Sequence, residues 1–167
     1  HTSAYVLGAG ELLVVDPGSP DDDETDRLAA HLATLAAEGM KPLAIVCTHH
    51  HADHVGGVAR LQQGTGLPVW AHAQTKDRLS VPVARTLEDG EVLELGGDLP
   101  MRWRALHTPG HARGHICLLD EASGAAVVGD MVAGFGTIVI DTPEGDMAEY
   151  LKQLARLKSL GVRTLYP

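Results

Sequence analysis

The sequence predicts an α/β domain. Strand-like and helix-like segments alternate in both halves of the chain, and no Pro-, Gly- or Ser-rich linker separates them. The run Leu43 to Cys47 is apolar at every position, as expected of a strand covered on both faces.

Composition fits one domain. The 167 residues are 44% hydrophobic and 21% charged. A chain of this length buries roughly 70% of the surface its unfolded form exposes, so its core needs no staples. Cys47 and Cys117 lie in separate apolar stretches with no CxxC, and are expected as reduced core residues rather than as a disulfide or thiolate metal site.

In chain order, Tyr5 to Leu7 and Glu11 to Val15 read as a hairpin around Gly8-Ala9-Gly10, stopped by Asp16-Pro17-Gly18. Asp21 to Asp23 cap a helix with Leu28, Leu32 and Leu35 on one face and Gly39 as its terminator. The buried strand Leu43 to Cys47 follows, then a helical segment from about Val55 to Gln63 and a strand over Pro68 to His72. Residues 74–90 show no period and are expected as loop. Glu91 to Leu95 and Met101 to Leu106 alternate as half-buried strands, the second ending at His107. Ile116 to Leu119 and Ala125 to Val128 are two more strands, the last stopping at Gly129-Asp130. Asp146 and Glu149 form a capping box for a helix with the stripe Met147, Leu151, Leu154, Leu157 and Leu160, closed by Gly161. Val162 to Tyr166 is the final strand.

Histidine is the compositional outlier, ten in all with four between positions 49 and 54, and imidazole is the commonest metal ligand. Thr48 to His54 reads THHHADH, placing ligand-type residues at His49, His51, Asp53 and His54 in the pattern HxHxDH. In a tight loop after a rigid strand alternate residues project to one side. His49 and His51 can therefore bind one metal while Asp53 and His54 turn toward a second. Without a cation, so many imidazoles at the mouth of a buried strand would be poorly paired. His50 breaks the alternation and is expected to point outward or to lie behind the ligands.

Together with Thr108-Pro109-Gly110-His111 and Gly129-Asp130 at later strand ends, this series resembles the metallo-β-lactamase-fold hydrolases over nearly the whole chain. The resemblance implies a four-layer αββα sandwich with its metal site at one edge, where strand ends converge. It also implies that His49, His51 and His111 hold metal 1, that Asp53 and His54 hold metal 2, and that Asp130 bridges both. Cysteine replaces that bridging Asp in some true β-lactamases, so Asp130 points to the glyoxalase II-like and nuclease-like branches. His115 after Thr108 to His111, and Gly136-Thr137 ahead of Pro143-Glu144-Gly145-Asp146, look most like the branch of β-lactamase-like protein 2, which includes an endoribonuclease and polyketide thioesterases. The family's last ligand is a histidine in a Gly-His-Gly after the final strand, where this chain ends at Leu165-Tyr166-Pro167. With a start that lacks Met, this implies a single domain over 1–167 cut short at both ends, metal 2 lacking one histidine.

The chemistry of such a donor set is hydrolysis. Two divalent ions about 3.5–4 Å apart hold a bridging water, lower its pKa toward about 7 and present hydroxide as the nucleophile. Asp53 is the expected catalytic residue, ligating through one oxygen and accepting a hydrogen bond from the hydroxide with the other. Imidazole and carboxylate ligation suits zinc, with iron or manganese as alternatives. The expected substrate is an ester or thioester, such as an acyl-CoA, acyl carrier or glutathione thioester. Thirteen basic against twenty-two acidic side chains give a net charge of −9, which disfavours a polyanion. Cleavage of RNA or another phosphodiester on the same two-metal site is the alternative reading, and an inactive metal-binding interaction domain is a second.

No basic stripe tracks a phosphate backbone and no apolar run approaches the ~20 residues that span a bilayer. The chain is expected to be soluble and cytoplasmic, with no membrane partner and an oligomeric state that the sequence does not assign. His115 is expected to support or line the site, or else to be structural, whereas His107, His72 and His31 are expected to be structural. Asp16 either hydrogen-bonds the metal loop or only makes an Asp-Pro-Gly turn. Gly56-Gly57 admit close backbone approach at a helix start, and Trp70 and Trp103 belong to the core.

Overall fold

In the computed structural model, which describes residues 2–167, the first five strands pair in chain order. β1 (Tyr5–Leu7) and β2 (Glu11–Val15) form the expected antiparallel hairpin, and β3 (Lys41–Cys47), β4 (Val69–Ala71) and β5 (Val83–Thr86) each run parallel to the strand before. β6 (Val92–Leu95), β7 (Met101–His107), β8 (Ile116–Asp120) and β9 (Ala125–Val127) make an antiparallel meander. β10 (Thr164–Tyr166) adds parallel to β9 and completes a second five-stranded sheet.

Parallel neighbours require crossovers, and helices supply them. α1 (Asp22–Ala37) joins β2 to β3, α2 (Ala52–Val55) and α3 (Val58–Thr65) join β3 to β4, α4 (Ala73–Lys76) joins β4 to β5, and α5 (Met147–Ser159) precedes β10. Asp21 caps α1 by accepting from the backbone N–H groups of Asp23 and Glu24, as its sequence position predicts.

Alternation along the strands sorts side chains into three apolar layers. Leu13, Val15, Ala44 and Val46 face the second sheet and meet Trp103, Ala105, Ile116, Leu118 and Val127. Val14, Ile45 and Cys47 face the other way, under Leu32 of α1 and Val58 and Leu61 of α3. Leu106, Cys117, Leu119, Ala126 and Val128 lie under Leu157 of α5. The result is the αββα sandwich, in which each fully buried Leu, Ile or Val contributes about 1.5–3 kcal/mol. Both cysteines are buried and free, and among the described residues no helix is long and apolar enough to cross a membrane.

Three sequence expectations need correction. Residues 74–90 are not all loop, because they contain most of α4 and all of β5. The segment expected to be one helix over 55–63 divides at Gly56-Gly57. A Cβ on Gly57 would lie 2.7 Å from Thr25 Oγ1 and 2.8 Å from the Pro17 carbonyl oxygen, so the chain there passes too close for any side chain. On α5 the packed face is Tyr150, Gln153, Leu154 and Leu157, while Met147, Leu151 and Leu160 of the expected stripe are exposed. Gln153 is tolerated inside because its amide donates to Glu149 Oε1 at 2.6 Å.

Beside the converging strand ends a backbone bond links the sheets: Ile116 N, at the start of β8, donates to Thr48 O, just past β3, at 2.9 Å.

Candidate metal centre

The ends of β2, β3, β7 and β9 bring Asp16, Thr48 to His54, Thr108 to His111 and Gly129-Asp130 to one edge of the sandwich. Asp16 organises the first half. It adopts φ +47°, in the left-handed region that disfavours side chains, and its buried carboxylate accepts from Thr48 N at 2.7 Å, Thr48 Oγ1 at 2.5 Å and His54 Nδ1 at 2.7 Å. Thr48 Oγ1 also lies 3.0 Å from His49 Nδ1. Since its hydrogen goes to Asp16, it accepts from His49, fixing the tautomer that leaves His49 Nε2 bare. Asp16 therefore holds the loop as well as making its turn.

Three imidazole nitrogens converge. His111 Nε2 lies 2.7 Å from His51 Nδ1 and 3.3 Å from His49 Nε2, and the last two are 3.1 Å apart. Asp130 Oδ2 is 3.1 Å from His111 Nε2 and 3.9 Å from His49 Nε2. A four-coordinate ion with ligands at about 2.0–2.1 Å has ligand-to-ligand edges of about 3.3 Å, so these residues are spaced to hold one. His111 Nδ1 donates to Val139 O at 2.7 Å, which leaves its Nε2 free to ligate.

Asp130 turns its other oxygen to His54: Oδ1 lies 3.1 Å from His54 Nε2, which is also 3.7 Å from Asp53 Oδ2. The carboxylate thus faces both halves of the predicted ligand set. Asp53 is mostly exposed and accepts from Thr2 Oγ1 at 2.9 Å. The structure gathers His49, His51, His111 and Asp130 into one tight group, sets His54 against its flank, and leaves Asp53 at the rim.

His115 supports the centre from behind. Asp130 N donates to its Nε2 at 3.1 Å, so its Nδ1 carries the proton and donates to Thr108 Oγ1 at 2.8 Å. Burial pushes its pKa down to about 3, which keeps the ring neutral. Burial also lowers His49, helped by His115 and His54, and lowers His51, helped by His111. Against burial, hydrogen bonds to Asp130 and Asp16 push His54 up to about 10, and those to Asp130 and Val139 raise His111. The same partners hold the Asp130 carboxyl far below the usual carboxylate range, although burial opposes them.

Two cavities flank Asp130. One of about 520 Å³ is bounded by His51, His111, Val139, Thr142 and Glu144. The other, of about 430 Å³, is bounded by Asp53, His54, Phe135 and Ile138. His50 turns away from the converging nitrogens toward Glu144 and Arg78. His72 and His107 stack face to face at 3.9 Å, apart from the centre, His31 is exposed, and Trp103 is buried in the core. Thr48 and Thr108 stand in the sequence motifs, but the roles of their hydroxyls and of the Val139 carbonyl escaped sequence reasoning, since no motif reports a hydrogen bond behind a ligand.

The model of the metallo-beta-lactamase superfamily matches residues 1–167. An atrochrysone carboxyl ACP thioesterase from Aspergillus fumigatus is 34% identical over 168 residues, covering 99% of this chain and 50% of that protein. A hydroxyacylglutathione hydrolase from Xylella fastidiosa is 33% identical over 156 residues, covering 93% of this chain and 53% of that one. The chain thus spans about half the length of the curated relatives it matches. Among solved structures, TTHA1623 in a di-iron-bound form superposes with a TM-score of 0.76 at 31% identity, covering 98% of this chain and 85% of that chain.

Proposed function

Because this chain belongs to the metallo-beta-lactamase superfamily, we propose that it is a metal-dependent hydrolase acting on an ester or thioester. In this reading His49, His51 and His111 would hold one divalent ion, Asp53 and His54 would hold a second, and Asp130 would serve both sets. The observation that carries the reading is the spacing of the three converging imidazole nitrogens around Asp130 Oδ2. The chemistry that divalent ions supply at such a site is Lewis acidity and activation of water at neutral pH.

The chain's own residues do the rest. Asp16, Thr48 and Val139 fix which nitrogen of His54, His49 and His111 faces the centre. Asp53, exposed at the mouth, orients the attacking water and takes its proton. The two cavities give the parts of a substrate on either side of the scissile bond separate places to lie. Because both sheets contribute donors, residues 1–167 are read as one domain.

The relatives' names, a thioesterase and an acylglutathione hydrolase, support an acyl substrate, and a net charge of −9 disfavours a polyanion. Zinc is the preferred ion by donor chemistry, and the di-iron neighbour keeps iron as the second choice. The test is a panel of acyl-CoA, acyl carrier and glutathione thioesters alongside single-stranded RNA, with and without a strong chelator. Chelator-sensitive thioester turnover is expected. RNA cleavage well above thioester turnover would overturn the substrate class, and chelator-insensitive turnover would overturn the metal role.

A further inference from the structure

We propose that Arg78 is a positioning residue of the metal centre: its guanidinium fills the place of a cation among His50, His51 and Glu144 and clamps the 139–146 segment against the metal-binding loop. Donor atoms of His50, His51 and Glu144 lie within 4.8 Å of one another, a second grouping that shares His51 with the main one. Arg78 Nη1 donates to Glu144 Oε2 at 2.8 Å and lies 3.2 Å from His50 Nε2. The His50 and Glu144 side chains are only 13% and 14% exposed, and His50 Nδ1 is buried without a partner. With the guanidinium removed, a largely buried carboxylate would face two imidazoles with no cation between them. Such a group either moves apart or recruits an ion and draws on His51.

The clamp spans the two halves of the fold. Arg78 follows α4 on the side of the first sheet, and Glu144 lies 66 positions later, ahead of α5. On the far side, Glu144 Oε1 accepts from Arg113 N at 3.3 Å, Pro143 O accepts from Arg113 Nη2 at 3.1 Å, and Asp146 N donates to Gly110 O at 2.8 Å. The same segment begins with Val139, whose carbonyl orients His111. Loosening Glu144 therefore reaches two converging histidines, His51 directly and His111 through Val139. As a partly exposed ion pair the contact adds little to global stability, so its effect falls on local order.

The inference rests on reading the histidine group as a metal centre, and its test separates the two. Hydrogen exchange over residues 139–146 is measured in the metal-free protein for the wild type, Arg78→Met, Glu144→Gln, the double variant and Arg78→Lys. Zinc affinity is measured on the same five by competition with a chromophoric chelator. Exchange at least about tenfold faster in both single variants is expected, with a double variant no worse than Arg78→Met and partial protection restored by Arg78→Lys. Zinc affinity is expected to fall about tenfold, the lower end for partners behind a ligand. Wild-type exchange rates in both single variants, or additive effects in the double variant, would overturn the clamp. Faster exchange with unchanged zinc affinity would overturn the positioning role. A wild type that binds no zinc would remove the metal reading and leave the clamp to be judged on exchange alone.

Discussion

Asp16 Oδ2 lies 2.7 Å from His54 Nδ1, although 38 positions separate the two residues, and both are almost wholly buried. A carboxylate on the far nitrogen fixes which face of the imidazole can ligate and raises its basicity. Asp16→Asn replaces one acceptor oxygen with an NH₂ that Thr48 and His54 cannot both accommodate. Zinc affinity is expected to fall about 10–100-fold, and the metal-free protein to lose about 1–3 kcal/mol through unpaired buried donors. Chelator competition and urea denaturation check the two effects separately.

Asp53 presents the opposite case, with its side chain 66% exposed at the mouth of the site. Asp53→Ala is expected to leave folding stability within about 0.5 kcal/mol while lowering thioester turnover by about 10²–10⁴-fold. Steady-state kinetics beside a thermal melt provide the check, and undiminished turnover would rule out Asp53 as proton acceptor.

Above about pH 6.5, stability and metal uptake should respond to pH in opposite directions. Despite burial, hydrogen bonds to Asp130 and Asp16 push His54 up to about 10 from 6.5, so its contribution is complete below about pH 6.5 and is lost as pH rises toward 10. Asp130 is depressed below the ordinary 3.8 of an aspartate, so its contribution is present above that value and lost on acidification. His49, His51 and His115, lowered by burial, work against folding below about pH 6.5, where the unfolded chain takes up protons that they refuse, so the metal-free protein should be most stable near about pH 6.5. Ligation takes His54 Nε2 without its proton, so zinc affinity should climb across pH 6.5–9 as metal-free stability falls. Calorimetric titration in buffers of different ionisation enthalpy should detect proton release on zinc binding at pH 7, and none would contradict the His54 assignment.

Gly129 carries the chain into Asp130 at φ +46°, and a Cβ there would meet His115 Nε2 at 2.8 Å and Thr48 Oγ1 at 3.0 Å. Gly129→Ala is expected to cost about 1–2 kcal/mol for the left-handed backbone. It should also weaken zinc binding, because the turn that aims Asp130 shifts. Chemical denaturation and zinc titration of the same variant distinguish the two effects.

Much of the fold was legible because strand alternation reports two covered faces. Leu13 and Val15 face one core layer and Val14 the other, as a period of two requires. HxHxDH was legible because its donors are local. α4 and β5 were not, since Ala73 to Lys76 carries no large apolar residue and Val83 to Thr86 buries no face fully. The α5 stripe misled because Tyr150 and Gln153 replace aliphatic residues on its packed face. Arg78 gave no signal, and Glu144 only its place in Pro143-Glu144-Gly145-Asp146, because two charged residues 66 positions apart become a pair only when the chain folds.

The bond from Ile116 N to Thr48 O crosses from one sheet to the other beside the converging donors. His49 and His51 follow the first sheet, and His111 and Asp130 the second. An ion seated among them would work as a rivet through both plates of the sandwich. How far the plates can gape, and whether either can peel away alone, would then be set by the few ångströms in which the chemistry takes place.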